Sequence, residues 1–132
     1  GKKVLLCEDN EVNQELATAI LEMQGIDVVC AMDGREGLDI FTKSSLREFA
    51  AILLDERMPV MDGLETARRI RELQREDAQE VPILALTGNT YENSVKRARE
   101  AGMDAYLLKP FEPGKLLETL AECMVKKHQQ DK

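Results

Sequence analysis

Apolar residues along this chain fall into two alternating patterns. Val4-Leu5-Leu6-Cys7, Ala51-Ile52-Leu53-Leu54, Ile83-Leu84-Ala85-Leu86 and Tyr106-Leu107-Leu108 are short unbroken apolar runs, and Asp27 to Ala31 is a fifth strand-like stretch. Between them the period lengthens to that of a helix. Val12, Leu16, Ala19, Ile20 and Met23 recur at helical spacing, and Gly25 closes that segment. A second helix is predicted around Gly34 to Ser44, and a third carries Leu64, Ala67, Ile70 and Leu73. A fourth runs from about Thr90 to Ala101 and stops at Gly102. The last starts near Glu112 with Leu116, Leu117, Leu120 and Met124 on one face, and the polar stretch 126–132 reads as a tail.

Strands joined by helical segments predict a parallel sheet with helices on both faces. Near-continuous apolar strands fit that burial, since neither face of such a sheet meets water. Five repeats fit an α/β, flavodoxin-like three-layer sandwich with strand order 2-1-3-4-5. Its switch point lies between the first and third strands, where ligands bind in open sheets of this kind. No linker or repeat divides the 132 residues, which predicts one domain with a core over about 3–125.

The strand ends carry the chemistry. The first apolar run leads into Glu8-Asp9, the third strand into Asp55, the fourth into Thr87 and the fifth into Lys109-Pro110. In the predicted topology these groups meet at one sheet edge. Carboxylates that close raise one another's pKa unless a cation intervenes. Oxygen ligands without nearby Cys or His select Mg²⁺ or Mn²⁺, and Mg²⁺ pairs with phosphate oxygens. Lys109 supplies a point charge for a phosphoryl oxygen, Thr87 a hydroxyl, Gly88 room for a ligand, and Asp55 a nucleophile. Glu8 and Asp9 could instead cap the first helix, although Asn10 is equally placed to do so. Asp62-Gly63 reads as a turn and helix entry without chemistry, and His128, in the polar tail, as solvated.

Composition narrows the class. An apolar fraction of 43% and a charged fraction of 33% suit an ordinary globular protein, and a net charge of -7 argues against nucleic acid. The basic run Arg68-Arg69-Ile70-Arg71 lies among acids and reads as a solvated face. Cys7, Cys30 and Cys123 lack metal-ligand spacing and read as reduced thiols of a cytoplasmic protein. No apolar stretch has the length of a membrane span. The chain begins at Gly1 rather than Met, which reads as a piece of something larger.

Taken jointly, Glu8-Asp9, Asp55 followed by Met58-Pro59 and Asp62-Gly63, Thr87-Gly88, Ala101-Gly102-Met103, Tyr106 and Lys109-Pro110-Phe111 closely resemble the receiver domain of two-component signalling proteins, over essentially all of residues 3–125. The resemblance implies that Asp55 accepts a phosphoryl group from a phosphohistidine on a histidine kinase or a histidine phosphotransfer protein. It implies Mg²⁺ held by Asp9, Asp55 and the backbone carbonyl of Arg57, with Glu8 acting mainly through water. It implies a cis peptide at Lys109-Pro110, a switch in which Thr87 moves inward and Tyr106 follows, and repacking of the surface formed by the fourth helix, fifth strand and fifth helix. A weak homodimer through that surface is open. Arg57 and Asn89, two residues after Asp55 and Thr87, border the path of an attacking water and are expected to set the lifetime of the acyl phosphate.

Glu8-Asp9-Asn10 with Asn13 and Ala17 looks like the receivers of hybrid sensor histidine kinases. A parent of that kind is the expectation, with a free-standing single-domain regulator second; such a parent could be anchored in a membrane even though this domain makes no membrane contact. Two other classes fit less well. A haloacid-dehalogenase-type phosphatase resembles this set but needs a second Asp two residues after the nucleophile, where this chain has Arg57. A pseudo-receiver that only docks partners would be expected to have lost the acid, the lysine or the threonine.

Overall fold

The computed structural model describes residues 2–88, 92–109 and 112–130, the side chains of 92–94 and 126–130 excepted. Five strands, β1 (Lys3–Cys7), β2 (Asp27–Ala31), β3 (Ala51–Asp55), β4 (Ile83–Thr87) and β5 (Ala105–Leu108), form one parallel sheet in the order β2-β1-β3-β4-β5. The helices between and after them are α1 (Glu11–Glu22), α2 (Gly34–Lys43), α3 (Gly63–Glu72), α4 (Glu92–Glu100) and α5 (Pro113–Gln130). This is the flavodoxin-like order the sequence predicts.

Residues of β1, β3 and β4 face both ways into apolar surroundings. Leu5, Cys7, Ile52, Leu54, Ile83 and Ala85 pack with Phe41 of α2, Leu64, Ala67 and Ile70 of α3 and Ala98 of α4. Val4, Leu6, Ala51, Leu53, Leu84 and Leu86 pack with Ala17, Ile20 and Leu21 of α1 and Leu116 and Leu120 of α5. The central strands are therefore buried on two faces, which is why no alternation is legible in them. The edge strand β5 is half open, and Tyr106 is 42% exposed there.

Three local expectations need correction. The face of α1 that packs is Ala17, Ile20 and Leu21, whereas Val12 is 72% exposed, Met23 83% exposed, and Leu16 and Ala19 also exposed. Two apolar stripes lie side by side on this helix, and small Ala17 lets the second approach the sheet. Arg68 and Arg69 are solvated and pair with Glu65, but Arg71 is not. Its guanidinium donates to the carbonyls of Gly102, Ala78 and Val81 and to Asp104 at 2.8–3.0 Å, tying α3 to the loops at the opposite edge from the strand ends. The stretch 126–130, expected as a tail, continues the helical backbone of α5. Cys7 and Cys123 are buried free thiols, while Cys30 is only partly covered.

A second arginine cross-link was not legible. Arg75 donates to both carboxylate oxygens of Asp77, at 2.6 and 3.0 Å, and to the carbonyls of Phe41, Ser44 and Ser45, with its guanidinium carbon 4.6 Å from the Phe41 ring centroid. Asp77 lies in a short 3₁₀ turn, Glu76–Ala78, and also accepts from the backbone N–H of Arg47, which sits at φ 60°. Burial alone would push the Asp77 carboxyl up; the bonds from Arg75 and Arg47 hold it below its ordinary value. Removing one partner of a buried pair strands the other. Arg75→Ala is expected to cost about 3 kcal/mol in urea unfolding, with Arg75→Lys recovering only part because it lacks the planar fork. A loss below about 1 kcal/mol would contradict this role.

Candidate functional site

Strand register brings the chemistry to one level. Cys7 pairs with Leu54, so Glu8 follows β1 beside Asp55 at the end of β3. Thr87 pairs with Leu108, and the Lys109 N–H donates to the Thr87 carbonyl at 2.8 Å, so these two close the same edge. The β3–α3 connection is held tight. Asp62 caps α3 by accepting from the Glu65 N–H, and Gly63 donates to the Glu56 carbonyl. A Cβ at position 63 would run into the Asp55 carbonyl oxygen, so this approach requires glycine. Asn10 is the α1 cap, accepting from the Asn13 N–H at 3.0 Å, which leaves Glu8 and Asp9 free for other work.

Among the described residues, Glu8, Asp9 and Asp55 place one carboxylate oxygen each within 4.8 Å of one another. Lys109 reaches between strands to the acids: its Nζ is 3.0 Å from Asp55 Oδ2 and 3.3 Å from Glu8 Oε1. Asp55 Oδ1 also accepts from the Arg57 N–H at 3.1 Å. Asp55, Thr87 and Glu8 are buried, and Asp9 is exposed. Glu8 is fully covered, and among the described residues its Oε2 has no hydrogen-bond partner.

The electrostatics follow from this crowding. The Glu8 carboxyl is raised to about 7 by burial, by its hydrogen bond with Asp55 and by the Asp55 charge, against the pull of Lys109. Lys109 is raised: burial opposes its charge, and the bonds and charges of Asp55 and Glu8 outweigh that. Hard oxygen donors, a buried unsatisfied oxygen and excess negative charge fit a small divalent cation.

A cleft of about 740 Å³ opens over the cluster, lined among others by Asp9, Asn13, Arg57, Thr87, Gly88 and Arg97. Every predicted site residue that is described lies at this edge except Tyr106. That residue faces a separate groove between α4 and α5, with Met103, Lys115 and Thr119. Asn89, Pro110 and the His128 side chain lie outside the described residues, so the cis peptide and the role of Asn89 do not enter the geometry. Arg97 is the cleft residue that sequence reasoning missed; it lies ten residues beyond Thr87, outside every short motif.

With the site in view, comparison with known proteins is direct. The chain belongs to the response regulator receiver domain family, whose profile matches residues 4–121, and this places it among the proteins of two-component signal transduction. It is 35% identical over 121 residues to "Hybrid signal transduction histidine kinase I" of Dictyostelium discoideum, covering 90% of this chain and 7% of that one. It is 36% identical over 126 residues to "Peroxide stress-activated histidine kinase mak3" of Schizosaccharomyces pombe, covering 95% of this chain and 5% of that one. The chain thus spans under a tenth of the length of these relatives. Among solved structures, the receiver domain of sensor histidine kinase PA1611 from Pseudomonas aeruginosa, which holds a magnesium ion in its active-site cleft, superposes with a TM-score of 0.84 at 36% identity, covering 95% of this chain and 98% of that one. Chemotaxis protein CheY4 of Vibrio cholerae gives 0.84 at 33% identity, covering 92% and 98%. Among the described residues no helix is long and apolar enough to cross a membrane.

The raised Glu8 carboxyl gives a signed pH effect. A group whose pKa is higher in the folded chain favours folding below its unfolded value and loses that contribution as pH rises through the folded value. Without divalent cations, stability from Glu8 should therefore fall between pH 4.5 and about 7. Glu8→Gln, which mimics the protonated acid, should melt above wild type at pH 8 and converge with it near pH 4.5. A constant gap across that range would contradict a raised Glu8 carboxyl.

Proposed function

We propose that this domain is a phosphoacceptor of a phosphorelay, with Asp55 as the nucleophile. The observation that carries the reading is the buried Asp55 carboxylate held 3.0 Å from Lys109 inside the carboxylate cluster. An Asp55 oxygen attacks phosphorus of a phosphohistidine in line; the O–P bond forms, the P–N bond breaks, and its electron pair stays on the imidazole nitrogen. Charge on the equatorial oxygens is met by Lys109 and the Thr87 hydroxyl. Mg²⁺, or Mn²⁺, would be held by Asp9, Asp55, Glu8 and the Arg57 carbonyl and would supply positive charge opposite the lysine. Phosphorylation then draws Thr87 inward, Tyr106 follows, and the α4–β5–α5 face repacks, as a two-state element biased by a local charge. A weak homodimer through that face belongs to the same proposal.

The phosphodonor is a histidine kinase or histidine phosphotransfer partner, as the named relatives suggest, and a hybrid kinase is the favoured parent. The exposed stripe Val12, Leu16, Ala19 and Met23 begins beside Asn10 and Asn13 at the cleft, where a partner presenting its histidine would touch. The Arg57 side chain is exposed at the rim, and we assign it control of phosphoryl lifetime.

Intact mass after incubation with acetyl phosphate tests the reading. Wild type with Mg²⁺ should gain one phosphoryl group, and Asp55→Asn or EDTA should abolish the gain. A gain that survives Asp55→Asn would move the acceptor elsewhere, and none in wild type would favour a docking-only pseudo-receiver. The decay of that mass after donor removal should change at least threefold in Arg57→Ala; an unchanged decay removes Arg57 from lifetime control.

A further inference from the structure

The cleft poses an electrostatic problem that a divalent cation on Asp9, Asp55 and Glu8 answers only at the cluster itself. The walls carry two more acids, Glu56 and Asp62, on a chain of net charge -7, yet the proposed donor arrives as an anion. Lys109 cannot meet the donor at the mouth, because it is only 20% exposed and is already engaged by Asp55 and Glu8. Two further cations line the cleft, Arg57 on the β3–α3 loop and Arg97 on α4. Both are exposed, and neither forms an ion pair with a described residue.

The sequence of α4 singles out Arg97. Ala98 packs into the core and fixes the helix rotation. Arg97 then lines the acidic cleft, while Arg99 lines the separate groove with Asp104 and Tyr106. The acid at helical spacing from Arg97, Glu100 three residues on, makes no ion pair with it among the described residues. Gly88, next to Thr87, also lines the cleft and brings no side chain to it. A planar, permanently charged fork on the wall of an acidic pocket suits bidentate capture of a phosphoryl group.

We propose that Arg97 is an anion-capture residue that binds the phosphoryl oxygens of the incoming donor at the mouth of the cleft, before transfer to Asp55. It raises the rate of donor capture rather than the chemistry that follows. This inference rests on the phosphoacceptor reading of Asp55.

The test is the second-order rate constant for phosphorylation of Asp55 by acetyl phosphate, a small dianionic donor, from initial mass gain at saturating Mg²⁺ and several ionic strengths. Arg97→Gln should lower it three- to tenfold at low salt, and the gap should close towards 1 M salt, where the screening length falls to about 3 Å. Arg97→Lys should stay within about twofold of wild type. Arg99→Gln, with the same charge change on the same helix, should be unaffected, and melting curves of all three should overlay wild type. An Arg97→Gln rate equal to wild type at low salt overturns the proposal. So does a deficit that salt does not close, or one that Arg99→Gln reproduces. A wild-type chain that takes no phosphoryl group fails the underlying reading and takes this inference with it, whereas normal phosphorylation of Arg97→Gln removes the inference alone.

Discussion

Carboxylates forced together away from water are the constraint on which this structure turns. Glu8, Asp9 and Asp55 would repel if all were ionised at such range, and two of them are buried. The fold offsets this in two ways, with Lys109 brought from β5 across to β3 and β1, and with the Glu8 carboxyl raised to about 7 by burial and by Asp55. Neither is a full remedy, because a buried carboxyl oxygen remains without a donor. A site left electrostatically incomplete in this way fits a small divalent cation.

The rest of the architecture serves to hold those groups in place. Parallel register aligns the four strand ends, and the two apolar layers bury β1, β3 and β4 on both faces. Gly63 and the Asp62 cap bring the β3–α3 loop against Asp55, so that side chain is braced from its own loop. At the opposite edge, Arg71 and Arg75 clamp the loops by bonding carbonyls that belong to no strand or helix ladder. Burial and cross-linking are thus concentrated in the sheet and its lower loops, while β5 and one face of α1 are exposed.

How legible this was depended on the range of the interaction. Strand ends could be read because burial on both faces makes the runs continuous, and a polar residue ending such a run stands out. Strand order followed from alternating elements, and the Asn10 and Asp62 caps from local chemistry. The α1 stripe was misjudged because two apolar faces compete on one helix, and only the sheet decides between Leu16 and Ala17. Arg71 looked solvated because its local neighbours are acids, whereas its partners lie up to 33 residues away. Burial of Glu8 depends on Lys109, 101 residues distant, and no local pattern reports it.

The central claim is that the strand-end carboxylates form a single divalent-cation site completed by Asp55. A titration with Mg²⁺ followed by amide NMR tests it most directly. The account predicts saturable shifts centred on residues 8, 9, 55, 57 and 109, abolished by Asp9→Asn. Shifts that do not saturate, that scatter over the acidic surface, or that persist unchanged in Asp9→Asn would contradict it.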